Sequence, residues 1–310
     1  MKGRLGNQMF IYAFARYISK STNDSDLTFD FSFIKEKAKE FEGQYLGWED
    51  SLKYFNVKPY ITGESDNRAL IASTNITQKI IVTPFLIIKK ALKTDDKKYK
   101  FEKFYQSILN RFGIYMAENR YVKMSSSQSK VKIISGHFES SSFFNEVRDE
   151  ILEAFTPCYP PIEKNNDLYS SILSSESVCI SIRRGDFVSI PEYRKTHDVC
   201  TFEYYQKAIN VLKERLDNPK FFVFSDEIDW VKENYKFDCE VEYETGTDPV
   251  WEKLRLMYSC KHFIISNSTF SWWAQYLSRN EKKIVISPSR WSNGDRKTDL
   301  LKDATLLIDC

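Results

Sequence analysis

Residues 178–187 read VCISIRRGDF. Val178 to Ile182 alternate in the manner of a buried strand, with period two. The strand then runs out into two adjacent arginines and a Gly-Asp turn. The residues downstream repeat the alternation. A helical stretch, TFEYYQKAINVLKERL, is followed by an apolar strand, KFFVFSD, and a helix, EIDWVKENY. Next come a helix DPVWEKLRLMYSC, a strand HFIISN, a helix STFSWWAQYLSRN and a strand KKIVISP. Strands and helices taking turns over short loops predict an α/β fold with a parallel, doubly wound sheet.

Upstream, MKGRLGNQMFIYAFARYISK opens on a Gly-x-x-Gly turn. It continues as a helix from near Asn7, with apolar residues three and four apart. DLTFDFSF reads as a strand, TDDKKYKFEKF as a charged, exposed stretch and KMSSSQSK as a surface loop. VKIISGHFES is a short strand ending at Gly136, and SFFNEVRDEILEAFTP is a helix stopped by Pro157. The Pro-rich polar stretch CYPPIEKNN then reads as a linker. The expected domains are therefore 1–157, an N-terminal α/β domain, and 158–310, a C-terminal α/β domain with the cleaner alternation.

Composition limits the function. A net charge of +2 with 28% charged residues is a balanced surface, so nucleic acid is not an expected partner. The six cysteines are widely spaced, without a C-x-x-C pair, which predicts reduced thiols rather than a zinc site or disulfide framework. The longest apolar run, IIVTPFLII, is too short to span a bilayer and is interrupted by Pro84. At most peripheral membrane contact is expected. Without a signal-peptide h-region the expected location is the cytoplasm.

In open parallel sheets ligands bind beyond the carboxyl ends of the strands. Four strand ends or turns carry polar residues here: Arg183 to Asp186, Ser225 to Glu227, Ser266 to Thr269, and Gly3 to Gln8. Arg183 offers a permanently charged, planar fork that suits phosphate oxygens and can neutralise a leaving group. Gly185 permits a tight turn and Asp186 can brace an arginine. The competing reading of Arg183-Arg184 is a surface pair in an ordinary turn. Asp226 either accepts hydrogen bonds from the Watson–Crick edge of guanine or caps the following helix. SNSTFSWW either offers hydroxyls and backbone N–H groups to an anion or is simple capping by Ser268 or Thr269. GRLGNQ is neither a dinucleotide fingerprint nor a P-loop. The Asp-x-Asp spacing in NDSD, Asn23 to Asp26, is a weak metal candidate. Of the three histidines, only His137, at a strand end, is kept as a site candidate; His262 is expected to be structural.

Taken in order, these blocks resemble the bacterial α-1,2-fucosyltransferases of glycosyltransferase family 11. GRLGNQMFIYAFAR is similar to the N-terminal Gly-Asn-Gln-Met-Phe block, which covers Gly6, Asn7 and Gln8. GHFESSSFF, SIRRGDF, VFSDEIDW, LMYSCKHFIISNSTFSWWAQYL and ISPSRW resemble five later ones. The resemblance spans most of the chain and is weak over about 25 to 130. It implies a GT-B architecture of two Rossmann-like domains facing across a cleft. It implies GDP-β-L-fucose as donor, a terminal β-galactoside of a cell-surface glycan as acceptor, inversion at the anomeric carbon, and neither metal nor other cofactor. It further implies that Arg183 binds the β-phosphate, Asp226 reads guanine, and Ser268, Thr269 and the Phe270 N–H touch the diphosphate. Arg184 and Asn267 lie in the same binding blocks, and Asn7 approaches the pyrophosphate or fucose from the opposing turn.

Three departures stand out. Ser181 replaces the motif's usual His and can keep only a hydrogen bond to ribose or phosphate. Glu139 stands where Gln is frequent, and His137 where Tyr or Phe is, which bears on the acceptor. The family usually has a strand before the Gly-x-x-Gly turn, whereas this sequence opens at Met1-Lys2-Gly3; a sheet lacking that strand would expose edges. The proton of the galactose 2-OH needs a base, for which Glu139, His137 and Asp186 are candidates. The alternatives are a transferase of another GDP-sugar, a nucleotide- or glycan-binding relative without turnover, and a plain α/β interaction domain.

Overall fold

The computed structural model describes residues 1–41, 47–63 and 74–310. The chain is α/β and divides into two compact units that interleave in sequence. Unit 1 comprises Met1–Leu52, Lys58–Ile151 and Asp295–Asp299; unit 2 comprises Lys53–Val57, Leu152–Gly294 and Leu300–Cys310. Two α/β units are what a GT-B chain requires. The Pro-rich stretch after Pro157 lies within unit 2 and is bonded to a helix there. The Ile162 N–H and the Asn165 amide donate to Glu252, and Arg255 donates to the Tyr159 carbonyl.

In unit 1 the first helix, α1 (Leu5–Lys20), is followed by β1 (Thr28–Asp30), α2 (Ser32–Glu40) and β2 (Ile61–Gly63), with β1 and β2 parallel. Only three residues of DLTFDFSF are strand, because the Asp30 carboxylate accepts the Ser32 N–H at 2.8 Å and turns the chain into α2. Two helices follow, α3 (Ile76–Ala91) and α4 (Asp95–Arg111), then β3 (Ile114–Ala117) and β4 (Ile133–Gly136), again parallel. The run around Pro84 is a continuous helix. Its start is secured by a capping box between Asn75 and Gln78, and Val82 and Phe85 on either side of Pro84 are fully buried. That burial offsets a proline cost of about 3 kcal/mol in a helix interior. The charged stretch after it is likewise helical, as α4, and Phe85 stacks on Phe101 across the pair.

The unit 1 core is aromatic and joins two of the sequence blocks. Phe14 of α1 stacks on Phe138 at 4.1 Å and meets Phe143 edge-on at 5.4 Å. The register Ala117↔Gly136 places the next residues, Glu118 and His137, side by side, and His137 Nδ1 lies 2.6 Å from the Glu118 carboxylate. Burial pushes the Glu118 carboxyl up, but the His137 hydrogen bond and charge outweigh it and hold Glu118 down at about 2. Burial pushes the imidazole down, and the Glu118 bond with the nearby Glu139 charge overcomes it, leaving His137 above its ordinary value. The chain leaves β4 through Gly136 at φ +142°, where a Cβ would sit 1.9 Å from the Ala117 carbonyl oxygen.

Unit 2 contains α5 (Arg148–Ala154, shared at its start with unit 1), α6 (Asn166–Ser174), β5 (Glu176–Ile182), α7 (Gly185–Ser189), α8 (Pro191–His197), α9 (Phe202–Arg215) and β6 (Pro219–Ser225). It continues with α10 (Ile228–Asn234), β7 (Val241–Tyr243), α11 (Val250–Tyr258), β8 (His262–Ile264), α12 (Thr269–Leu277), β9 (Val285–Pro288) and β10 (Leu306–Ile308). The sheet is parallel throughout, in the order β10-β9-β8-β5-β6-β7. β5 is buried on both faces. Val178, Ile180 and Ile182 pack with the α9 stripe Tyr204, Tyr205, Ala208, Ile209 and Leu212. On the other face the Cys179 thiol meets Cys260, and Ser181 meets Ser271 of α12. All six cysteines are free thiols.

Two outcomes follow from unit 1. Gly136→Ala has no backbone that can yield, so a loss of roughly 2–4 kcal/mol is expected in denaturant unfolding. A wild-type midpoint in that variant would refute the reading. The Glu118–His137 pair gives a pH signature. Glu118 contributes above its unfolded value of 4.5 and loses this as pH falls toward 2. His137 contributes fully below its unfolded value of 6.5 and loses this as pH rises through its higher folded value. The stability difference between wild type and His137→Gln should therefore be largest between 4.5 and 6.5 and shrink above it. A difference that is flat with pH would show that the imidazole is not charged in this pair.

Candidate functional site

The strand order of unit 2 reverses between β5 and β8, since the chain builds outward from β5 through β6 and β7 and then returns to the other side of β5. In sheets of this kind a ligand crevice opens beyond the carboxyl ends at that point. The two loops there are Arg183–Asp186 after β5 and Ser266–Thr269 after β8, with Asp226 one strand away after β6.

Arg183 is held by two carboxylates, donating through one nitrogen to Asp226 and through another to Asp186. Its guanidinium also lies 5.1 Å from the centre of the Phe187 ring. Asp186 is buried, whereas Asp226 is at the surface. The second Asp226 oxygen accepts the Arg184 N–H at 2.9 Å. The Arg184 side chain donates to Glu227 at 3.0 Å and lies over Trp230. Asp226 thus closes onto the β5 loop and is not the cap of α10, whose N-cap position is Glu227. Gly185 makes this approach possible: at φ +32°, a Cβ there would be 2.5 Å from the Asp226 oxygen. Two arginines and three carboxylates leave the cluster with a formal charge of −1. Of the two carboxylates on Arg183, the solvent-accessible one is Asp226.

Ser181 points away from solvent. Its hydroxyl lies 2.6 Å from that of Ser271, which in turn lies 2.9 Å from that of Ser266. Three hydroxyls thereby tie the end of β5 to the loop after β8 and to α12. The α9 tyrosines brace the same ends: Tyr204 donates to the Ile265 carbonyl at 2.7 Å and Tyr205 to that of Ser181 at 3.4 Å. Ser268 is the N-cap of α12 and makes no side-chain capping bond, and Thr269 and Phe270 are the first two residues of the helix. Asn267 is spent internally. Its amide donates to the His197 and Trp291 carbonyls, at 2.9 and 3.0 Å, and its oxygen accepts from Cys200.

The remaining sequence candidates belong to unit 1. Gly6 and Asn7 form the first turn of α1. Gln8 is completely buried and acts as a clamp, donating to the Gly3 and Glu49 carbonyls and accepting the Ser51 N–H. His137 is paired with Glu118, and Glu139 is buried with Arg296 at 3.6 Å. In the Asp-x-Asp candidate, Asp24 pairs with Arg16 and Lys58. Among the described residues no group of three acidic, His or Cys side chains is placed to hold a metal ion. Sequence reasoning missed Glu118, Ser271 and Arg296. Glu118 had a signal available, because it follows an apolar strand as Asp226 does. The others depend on packing partners tens of residues away.

Comparison with known proteins bears on the family. The chain is 27% identical over 318 residues to the O-antigen biosynthesis glycosyltransferase WbnK of Escherichia coli, covering 98% of this chain and 97% of that one. It is 37% identical over 160 residues to an Escherichia coli alpha-1,2-colitosyltransferase, covering 50% of this chain and 54% of the relative. It is 27% identical over 155 residues to galactoside alpha-(1,2)-fucosyltransferase 1 of Leontopithecus chrysomelas, covering 47% and 42%. The family model described as glycosyl transferase family 11 matches residues 1–309. With both the whole-length family match and the arginine-bearing strand end in hand, the chain belongs to glycosyltransferase family 11.

Proposed function

We propose that this family 11 glycosyltransferase moves L-fucose from GDP-β-L-fucose to the 2-OH of a terminal β-galactoside, with inversion and without a metal ion. The observation that carries the proposal is Arg183, held at the switch point of the parallel sheet by one buried and one exposed carboxylate. When the donor binds, the diphosphate takes the place of Asp226 on Arg183, while Asp186 keeps the guanidinium aimed. Asp226, freed on that side, is available to the guanine edge. The α12 N-terminus supplies further donors to the diphosphate. In the transfer, the bond from the anomeric carbon to the β-phosphate oxygen breaks and negative charge grows on that oxygen. A guanidinium already in place stabilises this charge without reorganisation. The acceptor oxygen attacks the opposite face and its proton passes to a base.

Glu139 is our assignment for that base. Asp186 is hydrogen-bonded to Arg183 and His137 to Glu118, whereas Glu139 faces Arg296 at a longer 3.6 Å. Ser181 contributes by fixing the strand end rather than by contacting the donor. A second donor has specific support, since one relative is named an alpha-1,2-colitosyltransferase. GDP-colitose is therefore the competitor to test beside GDP-fucose.

The test follows GDP release and product linkage with both donors over a panel of β-galactosides. Arg183→Ala should lower kcat by about 100- to 1,000-fold. Arg183→Lys should recover little of it, because an ammonium cannot bridge two oxygens in the same plane. Turnover should survive a chelator. Near wild-type turnover in Arg183→Ala would overturn the role of Arg183, and faster transfer of colitose would replace the donor. Asp226→Asn should raise the donor KM about tenfold with a smaller change in kcat. A fall confined to kcat would instead make Asp226 a positioning group for Arg183.

A further inference from the structure

The helical pair α3–α4 has two faces of opposite character. Inward, Val82, Phe85, Leu109, Ile114 and Met116 form a buried cluster with Phe101 and Tyr105 packed on it. On the other side of α3, Ile76, Ile80 and Ile87 recur at steps of four and seven and are 78%, 68% and 64% exposed. On the other side of α4, Phe104 and Ile108 are 77% and 39% exposed. A core explains none of these five side chains, since each lies opposite the buried stripe of its own helix.

The charges on the pair are equally one-sided. Residues 76–111 carry nine Lys or Arg against three Asp or Glu, a net charge of +6 in a chain whose total is +2. The three acids are already engaged: Asp95 and Asp96 with Arg120, and Glu102 with Lys89. Lys97, Lys100 and Arg111 fall in line with Phe104 and Ile108 at helical steps of three and four, and Lys79 and Lys90 flank the isoleucine stripe. Isolated large apolar side chains set among exposed lysines fit a lipid surface. The rings and branched chains enter the acyl boundary, and the lysine stems reach up to the headgroups. A protein interface is the poorer match, because lysine is depleted from interface cores. Among the described residues no helix is long and apolar enough to cross a membrane, so the contact is with the surface of the bilayer.

We propose that the outward face of α3–α4 docks this protein on an anionic lipid bilayer. The docking does not depend on which sugar or acceptor the protein uses, and it is read without an activity assay. The full chain is sedimented with vesicles of equimolar phosphatidylglycerol and phosphatidylcholine, and with vesicles of phosphatidylcholine alone, over a range of salt. The expected result is partition onto the anionic vesicles that weakens with salt and little partition onto the neutral ones. Lys97→Glu combined with Lys100→Glu and Arg111→Glu should weaken it by about 100-fold. Ile80→Ser with Ile87→Ser and Phe104→Ser should weaken it while leaving its salt dependence. Both variants should retain the wild-type circular dichroism spectrum, since every changed side chain is exposed. Equal binding to neutral vesicles, or wild-type protein left in the supernatant at low salt, overturns the proposal. So does self-association that the serine variant abolishes in the absence of vesicle binding, which would make the face an interface between two copies.

Discussion

The guanidinium of Arg183 fixed between Asp186 and Asp226 is the constraint on which the candidate site rests. An arginine at a strand end is long and flexible, and without partners it would occupy many rotamers. The buried partner, Asp186, fixes its direction, and the exposed partner, Asp226, closes on it from the solvent side. The same carboxylate, Asp226, also takes the Arg184 N–H, so the backbone turn and the side-chain geometry are set together. The turn in turn demands Gly185, because any Cβ there would strike Asp226. A short sequence, Arg-Arg-Gly-Asp, thus specifies a geometry only in combination with one residue from the neighbouring strand.

Unit 1 shows the same logic with different chemistry. A parallel pair of strands brings Glu118 and His137 together by register alone, and burial then makes their mutual charge matter. The aromatic packing of Phe14 against Phe138 holds the loop that carries His137 and Glu139. Each unit therefore presents ionisable groups at the carboxyl ends of parallel strands.

Much of unit 2 was legible in the sequence because β5, β6 and the helices after them follow clean periods, and because polar residues stand out where apolar strands end. The sequence was less informative where one signal masked another. Pro84 reads as a breaker, yet the Asn75 and Gln78 capping box and the burial of Val82 and Phe85 carry the helix through it. DLTFDFSF alternates like a longer strand than it forms, since the Asp30 side chain captures the next turn. Gln8 and Asn267 look like ligand contacts in their motifs. Both prove to be internal clamps, because burial and the satisfaction of backbone groups are settled by distant segments that no local pattern displays. The partners of Arg183, 3 and 43 residues away, illustrate the range: the near one could be read and the far one could not.

The three serine hydroxyls beneath the strand ends have a property that an imidazole at position 181 would lack. Each hydroxyl can both donate and accept, so the row Ser181–Ser271–Ser266 can point its dipoles toward either end by rotating hydrogens alone. Reversal needs no heavy atom to move and no proton to be gained or lost. The ends of β5 and β8 therefore rest on a row of hydroxyls whose polarity is orientable.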